Sequence, residues 1–545
     1  MPIVDILRKN VELYGNDDAL IELNYEAEDK KAWSELELVE PAQKFGYRSV
    51  MTWKQFDDTA NRFANYLLSI GIGKDDKVAI LLMNCMEWLP AYFGILKTGA
   101  WAVPLNYRIP ADEIQYSLEK SEASVLLFGE SCIERVESIR DNLPGIREYL
   151  YTGSNKPAFA KDFTSSILDF DTTDPMIPLS DDDFAAIYFS SGTTGFPKAI
   201  LHKHQSLMCA CQTEQKHHGQ TKEDIFLCIP PLYHTGAKMH WFGSFLVGGK
   251  AVLLRGSKAE WILRAASEEK CTIVWLTVPW TQDVLCLLED DNFDKTPYDF
   301  SHWRMLHIGA QPVPPSLVAR WLKIFPNHQY DTNYGLSESI GPGCVHLGVE
   351  NTHKVGAIGV PGYGWEVKIV DENGEKVKQG DVGELCVKGP GVMTCYYHDE
   401  EATKAALKDG WLYTGDVAMM DPDGFIYLVD RKKDVIIMGG ENIYPVQIES
   451  FIMKHPAVKS VGVIGQFHPR LGEIPAAIIE LKEGFTCTEE EMNEFCQGLP
   501  RFKRPKKIIF APVPHNPTGK IEKPKLRAMY GGNRLVAFQN EIQSE

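Results

Sequence analysis

The residues with the clearest chemical potential form one short run, Tyr188-Phe-Ser-Ser-Gly-Thr-Thr-Gly-Phe-Pro-Lys198. Gly192 and Gly195 let the backbone turn its N–H groups toward an anion, the hydroxyls of Ser190, Ser191, Thr193 and Thr194 can donate to phosphate oxygens, and Lys198 adds a positive charge. The run reads as a phosphate-binding loop. It is not the GxxxxGK[ST] loop, because Pro197 precedes the lysine and no Ser or Thr follows it, which disfavours kinases and P-loop nucleotide triphosphatases. A second signal is a charge reversal. Between Arg501 and Arg527 nine Lys or Arg stand against one Glu, in a chain whose formal net charge is −18. Such a basic lobe suits a polyanionic small molecule, a nucleotide or a coenzyme phosphate; a solvated basic face accounts for the charge equally well.

Elements must hold these residues in place, and the chain is long enough to build them. Its 545 residues, 44% hydrophobic and 24% charged, are those of a globular protein of several domains. The negative charge repels nucleic-acid backbones, so no nucleic-acid partner is expected. No apolar run approaches the roughly 18 residues of a membrane span; even AYFGILKTGAWAVPL is broken by Lys97. The N-terminal MPIVDILRKN is charged where a signal peptide is apolar and EIQSE is no peroxisomal address, so a cytoplasmic protein is expected. The 12 cysteines include no CxxC pair and read as reduced core residues. His202, His204, His217 and His218 lack a metal-ligand pattern and read as surface or packing residues.

The texture of the chain alternates strand and helix. Phe56, Ala60, Phe63, Ala64, Leu67 and Leu68 make a helical stripe ending at Gly71, and KVAILLM (77–83) is then a buried strand. The same rhythm continues through ASVLLF, FAAIYFS, KAVLLR, TIVWLT and RMLHIG, which favours parallel sheets covered by helices. After Gly359 short strands alternate with turn signals, Asn373-Gly374 and Asp421-Pro-Asp-Gly424, so a small antiparallel, barrel-like β subdomain is expected over 360–430. The charged run Asp430-Arg-Lys-Lys-Asp434 marks a boundary. The resulting expectation is an α/β protein with a large domain over 1–430 built of helix-covered mixed sheets, a hinge at 431–434, and a smaller α+β domain over 435–545 with helices near 446–455 and 489–496.

The phosphate loop does not stand alone. Tyr334-Gly-Leu-Ser-Glu338, Tyr413-Thr-Gly-Asp416, Asp430-Arg431-Lys-Lys-Asp434 and Pro517-Thr-Gly-Lys520 follow it in order. In these five motifs the chain resembles the adenylate-forming superfamily: acyl-CoA synthetases, luciferase-like enzymes and the adenylation domains of peptide synthetases. Within it the sequence looks most like ligases that join medium-chain, aromatic or alicyclic acids to coenzyme A. The resemblance implies ATP, Mg²⁺ and coenzyme A as cofactors, with the loop residues 190–195 and Lys198 on the ATP phosphates. It implies Tyr334 stacked on adenine, with Gly309, Ala310, Gln311, Asn333, Gly335 and Ser337 around it. Glu338 and Thr193 would hold Mg²⁺. Asp416 would accept from the ribose hydroxyls with Arg431 beside it, and Lys520 would bridge carboxylate and α-phosphate during in-line attack. His234 matches a gate between acyl site and coenzyme tunnel, Lys433 a hinge on which a mobile C-terminal domain turns, and Gly439 and Gly440 the tunnel wall, while Arg501, Lys503, Arg504 and Lys506 would meet the coenzyme's phosphates.

The resemblance also implies an acyl pocket lined by His234, Gly236, Lys238, Trp241, Val278, Trp280, Gly335 and Ser339. If Trp241 and Trp280 both point inward the pocket is short and flat-walled, which favours an aromatic, alicyclic or medium-length acid; the commoner role for both side chains is in the core. Lys238 either neutralises a second carboxylate of the substrate or faces solvent. Two further readings are an adenylating enzyme that loads a carrier protein and a non-catalytic nucleotide-binding module; a luciferase-type oxygenase is remote. The acid and the oligomeric state, a homodimer included, are left open by the sequence.

Overall fold

The computed structural model describes residues 1–26, 40–41, 47–190, 197–310, 313–431, 434–438, 441–468, 470–515 and 520–532. The chain divides into two compact units. One comprises Met1–Gly309, Pro315–Val367 and Val387–Leu412, the other Ala310–Pro314, Lys368–Cys386 and Tyr413–Glu545.

The first unit holds two eight-stranded sheets. One runs Gln329–Asp331, Met305–Gly309, Ile273–Thr277, Ile225–Cys228, Lys250–Leu254 and Asp18–Leu23 as parallel neighbours, then turns antiparallel through Arg48–Thr52 and Glu40–Pro41. The other is parallel from Lys161–Asp162 through Glu148–Thr152, Val125–Gly129, Lys77–Leu81 and Trp101–Pro104 to Phe184–Phe189, and closes antiparallel with Ala199–Lys203 and Cys395–Tyr396. The apolar runs that pointed to buried strands lie in these parallel stretches, where helices cover both faces and leave no polar side. Ile273–Thr277 is buried at every position.

The helical stripe forms Trp53–Ser69, with Phe56, Ala60, Phe63, Ala64 and Leu67 buried. Thr52 caps it reciprocally with Gln55, an arrangement worth about 1 kcal/mol. Among the described residues no helix is long and apolar enough to cross a membrane. A three-stranded antiparallel sheet, Asn333–Leu336, Gly341–His346 and Val360–Pro361, completes the unit.

In the second unit the turn signals fold as expected. Asp421 Oδ1 accepts from the N–H groups of Asp423 and Phe425, at 3.0 and 2.9 Å, and brings Ile426–Arg431 back antiparallel to Trp411–Met420. The C-terminal part is a five-stranded sheet in which Lys507–Phe510 lies parallel to Gly472–Leu481, with helices Pro445–Ile452, Glu489–Phe495 and Lys523–Tyr530. One division between the units falls between Leu412 and Tyr413. The reason is local bonding: Thr414 Oγ1 donates to the Leu385 carbonyl at 2.7 Å and the Gly415 N–H to Glu384 at 3.0 Å, which ties 413–431 to 368–386.

Candidate active site

The phosphate loop is carried on a hairpin. Phe184–Phe189 pairs antiparallel with Ala199–Lys203, Phe189 opposite Ala199, and the Ser190 N–H donates to the Lys198 carbonyl at 3.1 Å, closing the base of the loop. Ser191, Gly192, Thr193, Thr194 and Gly195 lie outside the described residues. The Lys198 ammonium sits 4.5 Å above the centre of the Tyr396 ring, and the Tyr396 hydroxyl donates to Glu338 Oε1 at 2.9 Å. Burial pushes the Tyr396 phenol well above its ordinary range, so it stays a donor.

This contact brings the second motif to the first. Glu338 lies in a single 3₁₀ turn, Ser337–Ser339, followed by Ile340 in the left-handed region at φ 63°. Its carbonyl accepts from the Met393 N–H at 2.7 Å, and His202 Nε2 lies 2.8 Å from the Ser337 carbonyl. The turn is therefore anchored from two sides, with one oxygen of Glu338 taken by Tyr396. Tyr396 was missed by the sequence reading: it belongs to no motif, and it reaches the site only because Cys395–Tyr396 pairs with the hairpin strand, Tyr396 opposite Ile200.

Tyr334 is buried on Asn333–Leu336, opposite Val345, and Asn333 stands opposite His346. Asn333 Nδ2 donates to Glu214 Oε1 at 3.3 Å. Gly309 ends a buried strand, and a Cβ there would stand 3.2 Å from the Trp275 ring; Ala310 takes φ 72°, and Gln311 lies outside the described residues.

The residues read as surface or packing histidines include a buried network. His202, His204 and His218 are at most 2% exposed. His218, His307 and Asp331 bring ligand atoms within 4.8 Å of one another, a spacing a metal could use. The oxygens of Asp331 are already engaged, however: Oδ2 faces His218 Nε2 and His346 Nδ1 at 3.0 Å each, and Oδ1 accepts from the Thr332 and Gly348 N–H groups. These residues form a hydrogen-bonded cluster.

Of the expected acyl-pocket residues, His234 precedes the helix Thr235–Leu246 and accepts from the Gly236 N–H through Nδ1 at 3.3 Å. Gly341, at φ 98°, packs this helix start against the Tyr334–Glu338 motif: a Cβ there would stand 3.1 Å from Thr235. Val278, Trp280 and Gly335 are half-buried, while Ser339 is fully buried and spends its hydroxyl on Leu336. Trp241 is fully enclosed beside Phe242 and Phe245. It belongs to the core, because its ring is shut off from solvent and packs against the rings of Phe242 and Phe245, so the flat-wall expectation rests on Trp280 alone. Lys238 neither faces solvent nor meets a carboxylate among the described residues. It is fully buried, donates to the Leu232 carbonyl at 3.2 Å, and lies over the rings of Tyr188, Trp88 and Tyr92 at 4.3, 5.4 and 5.5 Å. Burial drives its pKa far below the usual lysine value.

In the second unit, the antiparallel register sets Asp416, 4% exposed, directly opposite Arg431. The Asp416 N–H donates to Thr414 Oγ1 at 3.1 Å, and Gly415 takes φ 71°, a conformation that suits glycine. Lys433, Gly439, Gly440 and 516–519 lie outside the described residues. Lys520 is exposed, just before the bridge from His515 to Ile521. Of the expected coenzyme-phosphate residues, Arg504 donates to the Leu499 and Gln497 carbonyls and Lys503 to Gln447, so the guanidinium of Arg504 first of all braces its own turn.

Comparison with known proteins gives this arrangement its setting. The family model for AMP-binding enzymes matches residues 32–397, and that for the AMP-binding enzyme C-terminal domain matches 447–520. The long-chain-fatty-acid–CoA ligase FadD13 of Mycobacterium tuberculosis is 32% identical over 487 residues, covering 88% of this chain and 93% of that protein. A feruloyl-CoA synthase of Amycolatopsis is 31% identical over 489 residues, covering 89% and 94%. The crystal structure of the anthranilate CoA ligase AuaEII in complex with anthranoyl-AMP superposes with a TM-score of 0.86 at 26% identity, covering 97% of each chain. With the hairpin loop and the glutamate turn joined through Tyr396, and both family models matched in order, the chain belongs to the AMP-binding enzymes.

Proposed function

We propose that this protein is an AMP-forming carboxylate–CoA ligase: acid and ATP give acyl-adenylate and pyrophosphate, and coenzyme A then gives acyl-CoA and AMP. The observation that carries the reading is the Lys198–Tyr396–Glu338 contact, which couples a phosphate loop to a hard carboxylate oxygen. That oxygen chemistry fits Mg²⁺, and Glu338 with Thr193 would hold the ion, which when bound neutralises charge on the ATP phosphates. Tyr334 stacks on adenine, Asn333 meets its edge, and Asp416 accepts from the ribose.

Lys520, on a C-terminal domain (435–545) that turns about 431–434, steadies two anions as the carboxylate oxygen attacks the α-phosphorus and pyrophosphate leaves. In the second half-reaction the coenzyme thiol attacks the acyl carbonyl and AMP departs, with the basic residues near 501–506 drawing in the coenzyme. The acid is aromatic, alicyclic or medium-chain, on the strength of Trp280. The free cysteines suit a reducing cytoplasm.

Incubating the protein with Mg-ATP and a panel of straight-chain, alicyclic and aromatic acids should release pyrophosphate, and adding coenzyme A should yield thioester. Adenylate without thioester would remove the second half of the reading.

A further inference from the structure

Glu214, on the helix His204–His218, is fully buried, and every partner it has in the network is a donor or can be one. Its Oε2 lies 2.9 Å from His240 Nδ1 and 3.3 Å from His218 Nδ1; its Oε1 lies 3.3 Å from both His346 Nε2 and Asn333 Nδ2. His346 has a carboxylate near each nitrogen: Nδ1 is hydrogen-bonded to Asp331 at 3.0 Å, and Nε2 lies within ion-pair distance of Glu214, at 3.3 Å. Burial alone would drain its proton, yet the hydrogen bonds to the two carboxylates push its pKa up to about 9. Burial pushes the Glu214 carboxyl up, but His240 and His218 outweigh it and hold it well below its usual range. An ionised carboxylate accepts and cannot donate. An amide offered to it must therefore present its nitrogen.

We infer that Glu214 is a nucleobase-specificity residue that acts through Asn333: by holding the amide nitrogen inward it turns Oδ1 outward as an acceptor, selecting a base with an exocyclic amino group over one with an exocyclic carbonyl. The inference rests on the proposed contact of Asn333 with the adenine edge. Asn333 is half-buried and fixed in the strand opposite His346, with its amide nitrogen on Glu214. With the nitrogen outward instead, two acceptor oxygens would face each other in a buried site with no proton between them, and the hydrogen bond from Asn333 would be lost. No motif contains Glu214, whose partners lie up to 132 residues away.

The test compares ATP with ITP, which carries a carbonyl in place of the 6-amino group, as substrates for acid-dependent pyrophosphate release. In Glu214→Gln the neutral amide accepts or donates, so Asn333 is free to flip, and the ratio of kcat/KM for ATP to that for ITP should fall by about tenfold, the range for a lost hydrogen bond between uncharged groups. An unchanged ratio in a folded Glu214→Gln protein would overturn the inference. Asn333→Ala separates the two layers: it should also lose the preference, and if it keeps the wild-type ratio, Asn333 does not read the base and the underlying contact falls. If Glu214→Gln does not fold, neutron diffraction from deuterated wild-type crystals decides. An Asn333 deuteron pointing at Glu214 Oε1 supports the assignment; the amide oxygen on that side overturns it.

Discussion

Replacing Lys238 by Met removes one amine from the interior of the first unit and leaves a side chain of similar length. In the folded protein the amine has a backbone carbonyl at 3.2 Å and three aromatic rings around it, and no carboxylate among the described residues. Burial therefore holds it far below the usual value, while in the unfolded chain it titrates near 10.4. Between those two values the unfolded state carries one more proton than the folded state, so this residue makes stability rise with pH, by about 1.4 kcal/mol per pH unit. Below that window the penalty is constant.

His346 opposes it: a folded pKa of about 9 means its contribution is full below about 6.5 and lost as pH rises through 9. Both proteins keep His346, so the difference between them cancels it. Urea unfolding followed by tryptophan fluorescence at pH 8, 9 and 10 should show Lys238→Met more stable than wild type by an amount that shrinks by about 1.4 kcal/mol with each unit. A difference that stays constant with pH would refute the neutral buried amine. A neutral amine also offers a second carboxylate no counter-charge, so dicarboxylic acids should gain no advantage over monocarboxylic acids of the same size.

Lys520→Ala should lower adenylation by about a hundredfold or more, with a much smaller loss in thioester formation from supplied adenylate; equal losses in single-turnover assays of the two halves would remove its role. Tyr396→Phe deletes the donor at 2.9 Å from Glu338 and should cut kcat/KM for Mg-ATP by about tenfold, a charge-assisted hydrogen bond's worth, and an unchanged value in steady-state pyrophosphate release would contradict its part in the site. The two tryptophans should separate cleanly. Trp280→Ala should admit longer acids in the panel with modest loss of stability, whereas Trp241→Ala should cost about 3–5 kcal/mol and leave the order of acids unchanged, measured by denaturant unfolding alongside the acid screen.

Much of the fold was legible because parallel strands buried on both faces spell out continuous apolar runs, as at Ile273–Thr277, and because Asp421 and Gly424 are turn residues for reasons of backbone geometry. The five motifs stood out for a related reason: the binding proposed for phosphate, adenine and ribose calls for particular residue types at a fixed spacing. Tyr396 and Glu214 carry no such mark. Tyr396 matters through its register against Ile200, and Glu214 through histidines gathered from two helices and separate strands, and neither kind of contact leaves a period in the sequence. Trp241 could not be assigned from the sequence for another reason: a helix whose polar residues, Lys238 and His240 among them, are buried like its apolar ones has no stripe from which to tell pocket from core. The hydrogen bonds from Thr414 and Gly415 to 384–385 were not legible either, because such long-range contacts leave no period in the sequence.

A crystal structure with a non-hydrolysable acyl-adenylate analogue should show adenine stacked on Tyr334, the ribose hydroxyls on Asp416, and the acyl group against Trp280. Adenosine bound away from Tyr334, or a ribose that leaves Asp416 untouched, would contradict the proposed site.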